Sequence, residues 1–266
     1  MVLIRIVVRL SFFYCCGAFL IGCVSKQNRT LYENIDQNGK RVIAKKTFDE
    51  HAMLIQEERL DEDSIRNGAY WEYKDGKIKC MGHFADNKKD GTWKYFGATG
   101  AIQEKENWYN GKRFGEQFHY YNSGGERLSA YVFDNLEGKQ LFKALFDSNG
   151  KITRAIGAPL YLAYNKADLK VNEELDLIFF FGAPPGCTYK LNISEWNSGR
   201  HPKCLSSLTV IDSNEEVQHD FMGEKYLQQK TYVEKGVYDW KFDFSVEDRS
   251  GRAIIRDTTS QQVTVN

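Results

Sequence analysis

The sequence predicts an all-β protein, an elongated antiparallel repeat sheet followed by a β-sandwich, and three observations carry that reading. Glycine recurs at Gly68, Gly91, Gly115 and Gly138, at steps of 23, 24 and 23 residues, with an aromatic two or three places after the first three: Trp71, Trp93 and Phe118. A second series, Gly76, Gly100, Gly124 or Gly125, and Gly150, marks the middle of each unit in short polar stretches such as YKDGK and DSNGK. Composition agrees, with 14% aromatics, 22 Gly and 4 Pro in 266 residues, a profile suited to pleated strands joined by tight turns. Each unit reads as strand, turn, strand, turn. A unit this short cannot bury a hydrophobic face alone, so it must stack on its neighbours.

Residues 1–22 read as a leader. Arg5 and Arg9 supply a charged start, and Leu10 to Ile21 is an apolar run of signal-peptide length, too short for a comfortable membrane span. The run ends in LIGC at 20–23, which resembles the lipobox of bacterial lipoproteins. The alternative is an ordinary secretory signal in which Cys23 is one more cysteine beside Cys15 and Cys16. The resemblance implies cleavage before Cys23 and lipid attachment there, and two acyl chains already suffice for stable anchoring. It also implies an address. Val24 stands where an aspartate would retain an enteric lipoprotein in the inner membrane, and Lys26 and Arg29 depart from the acidic cluster of surface-exposed lipoproteins in Bacteroidetes. The expected location is the outer membrane, facing the periplasm.

From Cys23 onward 244 residues remain, enough for two domains of ordinary size. Without the leader the chain has 34 basic and 36 acidic residues, a balance that suggests no nucleic-acid partner. Residues 23–63 read as a tether and N-terminal segment. Within it, Thr47 and Glu50 match a capping box, and Phe48, Ala52 and Ile55 share a helical face, which predicts a short helix over 47–60. The competing reading is another strand pair with a turn at DQNGK around Gly39.

Residues 64–154 form the repeat domain. Trp93 and Tyr95 lie two apart and project from one face of a strand, and Trp71 with Tyr73, and Phe118 with Tyr120, are placed the same way. The returning strands supply Phe84, Trp108 and Val132, each 24 residues from the next. Aligned aromatics of this kind form the core. The run GTWKYF, a glycine turn, then ENWYNGKRFGE resembles the variant MORN repeat of bacterial lipoproteins and antitoxin-like repeat proteins. The resemblance covers residues 67 to about 154, roughly a third of the chain, and the fourth unit departs from it with Leu141 and Phe142. It implies a scaffold whose partners differ from protein to protein. On this reading Gly68, Gly91, Gly115 and Gly138 are turn glycines.

The period is lost after Gly150, which places a boundary near 154–158. In residues 155–266, LDLIFFFG (175–182) is a continuous apolar run suited to a strand covered on both faces. CTYKLNISEW alternates, with Cys187, Tyr189, Leu191 and Ile193 on one side. VYDWKFDFSVED places Tyr238, Trp240, Phe242, Phe244 and Val246 inward. About seven strands in this length fit an immunoglobulin-like sandwich, and GVYDW resembles its tyrosine-bearing late strand. Few contacts need to cross the boundary, so residues 155–266 are expected to fold as a soluble monomer and the repeats alone to aggregate.

Of the remaining cysteines, Cys187 and Cys204 are the candidate disulfide pair, although a plain hairpin would set Cys204 against Trp196, far from Cys187. Cys80 reads as a small core residue. The five histidines are scattered, and no metal, cofactor or nucleophile motif is present. DNKKDG at 86–91 lacks the acidic ligand that completes a calcium loop. The function expected is non-enzymatic: a lipid-anchored envelope protein that serves in binding or assembly, held to the membrane by Cys23, with an envelope protein or glycan as partner. An antitoxin-like or immunity role, and a glycan-binding protein or hydrolase, are the alternatives.

Overall fold

The computed structural model describes residues 28–37, 40–121, 127–164, 168–197, 203–211 and 224–266, and every regular element among them is a strand. Twelve strands form one sheet: β1 (Arg29–Gln37), β2 (Lys40–Phe48), β3 (Leu54–Leu60), β4 (Arg66–Lys74), β5 (Lys77–Ala85), β6 (Lys88–Phe96), β7 (Ile102–Tyr109), β8 (Lys112–Arg113), β9 (Gly115–Tyr120), β10 (Leu128–Asp134), β11 (Gln140–Phe146) and β12 (Ile152–Gly157). They pair antiparallel in chain order, with β8 a short branch on β7. The sheet therefore begins at Arg29, and most of the stretch read as a tether belongs to it. No helix forms over 47–60. Thr47 pairs with Gln56, and Asp49 holds the turn between β2 and β3 through its carboxylate, which accepts the amides of His51 and Met53, both at 2.9 Å. A side chain that caps a helix start also caps a turn, and the pairing strands on either side decide between them. Tyr32 and Lys45 are partners in the β1–β2 hairpin, whose turn at 38–39 lies outside the described residues.

Two turn types recur along the sheet. Asp49, Asp61, Asn135 and Asp147 each accept the amides two and four residues on, and the residue three places on takes positive φ: Ala52, Ser64, Gly138 and Gly150. The pairs Asp75–Gly76, Asp86–Asn87 and Asn110–Gly111 are two-residue turns with positive φ at both positions, whose twist matches the strands they join. Gly124 and Gly125 lie outside the described residues. The glycines read as one turn series thus divide. Gly138 is a turn residue, whereas Gly68, Gly91 and Gly115 sit inside the ladder at bulges. Met81 pairs with Lys94 but His83 pairs with Asp90, so β6 carries two extra residues around Gly91. The same slip surrounds Gly68, between the Glu58–Tyr70 and Leu60–Arg66 pairs. It recurs around Gly115, between Lys105–Phe118 and Trp108–Arg113. Gly91 adopts φ +65°, the left-handed conformation that lets a strand absorb the excess.

The rest of the chain forms a sandwich of β13 (Leu160–Tyr164), β14 (Asp168–Leu169), β15 (Glu174–Phe181), β16 (Thr188–Asn197), β17 (Lys203–Ile211), β18 (Glu224–Thr231), β19 (Gly236–Glu247) and β20 (Ala253–Val265). One sheet runs β13-β15-β18 and the other β14-β20-β19-β16-β17, with β14 parallel to β20. This is an immunoglobulin-like arrangement in which the first strand is divided between the sheets. Tyr238 Oη donates to the carbonyl of Glu234 at 2.9 Å, the tyrosine corner that the sequence suggested. Between the sheets lie Leu175, Leu177, Phe179 and Phe181 against Tyr189, Ile193, Trp240 and Phe242, with Phe181 stacked on Tyr189 at 4.7 Å between ring centroids. Lys230 and Tyr232 lock the sheets through Glu195, which pairs with Lys230 and accepts the Tyr232 hydroxyl at 2.8 Å.

The β16–β17 hairpin sets Cys204 opposite Ser194, two positions from the Trp196 partnership expected. Thr188, the neighbour of Cys187, pairs with Ile211 at the far end. At the strand rise the two cysteines are about 23 Å apart along the ladder, beyond the roughly 7 Å between Cα atoms that a disulfide spans, so this hairpin does not support the bridge.

The two parts of the chain share a core. The outward face of β13 and β15, with Tyr161, Ala163, Ile178 and Phe180, packs on Phe114, Tyr131, Phe133 and Phe142 of the long sheet. Phe114 meets Phe180 edge-on at 5.3 Å. The apolar run of β15 is continuous because both of its faces are covered, as its composition implied. The expectation that few contacts cross the boundary fails for the same reason.

Candidate functional site

The sandwich covers one face of the long sheet, and only along its C-terminal strands. The opposite face carries a cross-strand row that register alone defines: Tyr32 pairs with Lys45, Lys45 with Glu58, Glu58 with Tyr70, and Tyr70 with Gly82. A side chain at Gly82 would collide with the Trp93 indole, which lies across it, and Trp93 pairs onward with Glu106. Aromatic and charged side chains thus share one row across seven strands spaced about 4.8 Å apart.

The centre of this face is the cluster of Cys80, Phe84 and Trp93, with Tyr70, Tyr95 and Trp108 around it, all contributed by strands of the sheet. Trp93 is 1% exposed, and its Nε1 donates to the carbonyl of His83 at 3.1 Å. The sequence aligned Trp71 and Phe118 with Trp93, yet both lie on the other face. Trp71 lies under Arg59, and Phe118 packs on Tyr131. Two places after each bulge glycine stand Tyr70, Trp93 and Gln117, and these are the true equivalents. Gln117 is 1% exposed and uses its amide as Trp93 uses its indole, donating to the carbonyl of Asn107 at 3.1 Å.

A column of cations crosses the aromatics. Arg66, Lys89 and Arg113 each stand two residues before a bulge glycine, a periodic signal that reading the aromatics alone passes over. Arg66 sits 4.3 Å above the Phe84 ring. Lys89 Nζ lies 4.2 Å from the Trp93 ring and 4.5 Å from that of Trp108, and donates to Tyr95 Oη at 2.7 Å. Burial lowers the Lys89 pKa, and burial first, with the charge of Glu106 second, drives the Tyr95 phenol far up. Burial also pushes the Cys80 thiol up to about 11, so Cys80 is a core residue and no ready nucleophile.

Arg113 lies between two acids, 3.8 Å from Glu106 and 3.5 Å from Asp134. Glu106 also accepts the Trp108 indole at 3.1 Å, and His119 stands 3.6 Å from Glu104. Asp134 is 0% exposed, and neither of its carboxylate oxygens has a hydrogen-bond partner. Burial outweighs the attraction of Arg113 and raises its pKa. The folded chain therefore holds that proton more tightly than the unfolded one, and ionised Asp134 costs stability as pH rises above the ordinary aspartate value. Asp134→Asn is expected to stabilise the protein at neutral pH by about 1 kcal/mol, with the gain disappearing as pH falls below about 4. Thermal unfolding of both proteins across that range measures it, and a gain that persists at low pH would locate the effect elsewhere.

Among the described residues no group of three His, Cys, Asp or Glu side chains could hold a metal ion, and no helix is long and apolar enough to cross a membrane. Asp86 and Asn87 form a tight turn, and Asp61 holds the turn between β3 and β4, so neither acidic stretch gathers ligands. Cys23 lies outside the described residues.

No family model and no curated protein matches the chain. Among solved structures it is similar to Spo0M, a sporulation control protein from Bacillus subtilis, at 16% identity over 41% of this chain and 50% of that one, with a TM-score of 0.23. A TarM mutant from S. aureus, solved with fondaparinux, α-GlcNAc-glycerol and UDP, matches at 16% identity over 46% of this chain and 20% of that one, with a TM-score of 0.20. A marsupial T cell receptor matches at 12% identity over 75% of this chain and 69% of that one, with a TM-score of 0.26. The chain spans half or less of the first two, and likenesses this slight carry no argument about function.

Proposed function

We propose that the chain is a non-enzymatic, lipid-anchored protein of the bacterial envelope that binds its partner through the uncovered face of the long sheet. One observation carries the binding role. The row from Tyr32 to Glu106 keeps rings and charges together on the face opposite the one on which the sandwich packs, with Trp93 buried at its centre and Tyr32 exposed at its end. Aromatic residues and arginine are enriched in recognition surfaces, and Arg66 and Arg113 stand beside the rings and acids of this face. The anchor rests on the LIGC sequence ending at Cys23.

Both halves can be tested in cells. Cys23→Ala is expected to abolish palmitate labelling and release the protein from the membrane fraction, because no other cysteine follows such a sequence; full retention would remove the anchor from the reading. With the anchored protein as bait in an envelope pull-down, Arg66→Glu and Arg113→Glu should lose partners that Lys241→Glu, on the outer face of the sandwich, retains. Unchanged capture by the first two would move the binding surface elsewhere.

A further inference from the structure

We infer that the groove at the N-terminal end of this row is a carbohydrate site that prefers a sugar ring bearing a carboxylate. The inference rests on the uncovered face being the binding face and names its ligand class. The groove is lined by Tyr32, Gln56, Glu58, Leu60, Arg66 and Asn87, among others. Tyr32 is 63% exposed, and its ring is an open wall of the groove. Leu60, 5% exposed, adds an apolar patch.

The chemistry of the lining selects among ligands. A sugar presents an apolar C–H face and a rim of hydroxyls, so it needs one ring to stack on and a mixture of donors and acceptors around it. Tyr32 supplies the first. The amides of Gln56 and Asn87 and the carboxylate of Glu58 supply the second. Glu58 is fixed in place, 3% exposed and paired with Lys45 at 2.7 Å, so its geometry is set before any ligand arrives. Arg66 differs from the other charges. Asn87 accepts its Nε at 3.3 Å, and the Phe84 ring lies beneath it, but among the described residues no carboxylate is within ion-pair distance. Its guanidinium is thus oriented and electrostatically unanswered, which suits a ligand carboxylate. A lipid surface would offer the amides of Gln56 and Asn87 no hydroxyl rim to bond, and a nucleic acid would meet the charge of Glu58.

The test uses the detergent-solubilised full chain with two probes, cellobiose and its uronate counterpart, cellobiouronate. Saturation-transfer NMR should show contact from the protein to the sugar ring protons of both, with the uronate binding about tenfold more tightly, the gain of one charge-assisted contact. Tyr32→Ala, at an exposed position that leaves the core intact, should weaken both about tenfold, and Tyr32→Phe should not. Arg66→Gln should erase the preference for the uronate while keeping the neutral sugar. Absence of transfer to either sugar at millimolar concentration, or binding indifferent to Tyr32→Ala, would overturn the sugar site. Envelope partners still captured by a chain that binds neither sugar would leave the binding face standing and remove the carbohydrate assignment alone.

Discussion

Gly157→Ala should destabilise the protein by roughly 3 kcal/mol or more, whereas Gly150→Ala, at a backbone of the same hand, should cost about 1 kcal/mol. Both glycines have positive φ, +85° and +78°, so both substitutions carry the conformational penalty of a β-carbon in the left-handed region. They differ in what surrounds them. A β-carbon on Gly150 would have nothing within 4 Å, but one on Gly157 would be driven into the carbonyl oxygen of Leu141. That carbonyl cannot retreat cheaply, because it accepts the amide of Ala158 at 3.0 Å and so fastens the strand connecting the long sheet to the sandwich. The strain must then appear in the pairing of β11 with β12, where Phe142 faces Gly157. Urea unfolding of the two variants beside the parent measures the difference. Equal shifts in midpoint would mean that the junction yields, and that the close approach at Leu141 contributes nothing to stability.

The strands were legible because alternation and turn residues are local, and the bulges were not because they are set by a partner strand. Gly91 announces itself through the 23-residue step, but the step is the same whether the glycine closes a turn or relieves a slipped register. Nothing within the segment distinguishes the two. The consequence reaches the candidate site. Counting from aromatic to aromatic places Trp71 with Trp93, whereas counting from the bulge glycine places Tyr70 there and sends Trp71 beneath Arg59 on the other face. The cation two residues before each glycine was present in the sequence throughout, and only the stacking of Arg66 on Phe84 and of Lys89 on Trp93 and Trp108 gives it meaning. The apparent helix over 47–60 fails for a related reason. Thr47 and Glu50 satisfy a helix start in isolation, but β2 and β3 pair from Phe48 with Leu54 to Ile43 with Leu60, and a short helix would have to compete with that ladder. In the sandwich, by contrast, the inward set from Tyr238 to Val246 was read correctly, because a strand with period two and one buried face leaves a single register open.

The shared core makes a second large effect measurable: the two parts of the chain should unfold together, and neither should be stable alone. Phe180 is 6% exposed and points away from the sandwich interior, so its burial is supplied by Phe114 and the strands around it. Tyr161 stacks on the same ring at 6.1 Å between centroids, and Gly182 is small because Tyr131 and Phe133 occupy the space a side chain would need. Cutting the chain before Ala158 would leave Phe180, Tyr161 and Ile178 facing water on the sandwich, and Phe114, Tyr131, Phe133 and Phe142 facing water on the sheet. Exposed apolar patches of that kind promote association in place of a soluble fold. Residues 158–266 expressed alone are therefore expected to bind a hydrophobic dye and to lack a sharp thermal transition, the reverse of what the loss of period at Gly150 suggested. In the full chain Phe180→Ala should cost about 3 kcal/mol or more, as expected for an aromatic removed from a packed site, and should lower one common midpoint followed at both the tryptophans of the sheet and those of the sandwich. Tyr109→Ala, at a ring 45% exposed, should move that midpoint by less than about 1 kcal/mol. Two separate transitions, with Phe180→Ala displacing only one of them, would show that the layers fold independently and that their contact adds little to the stability of either.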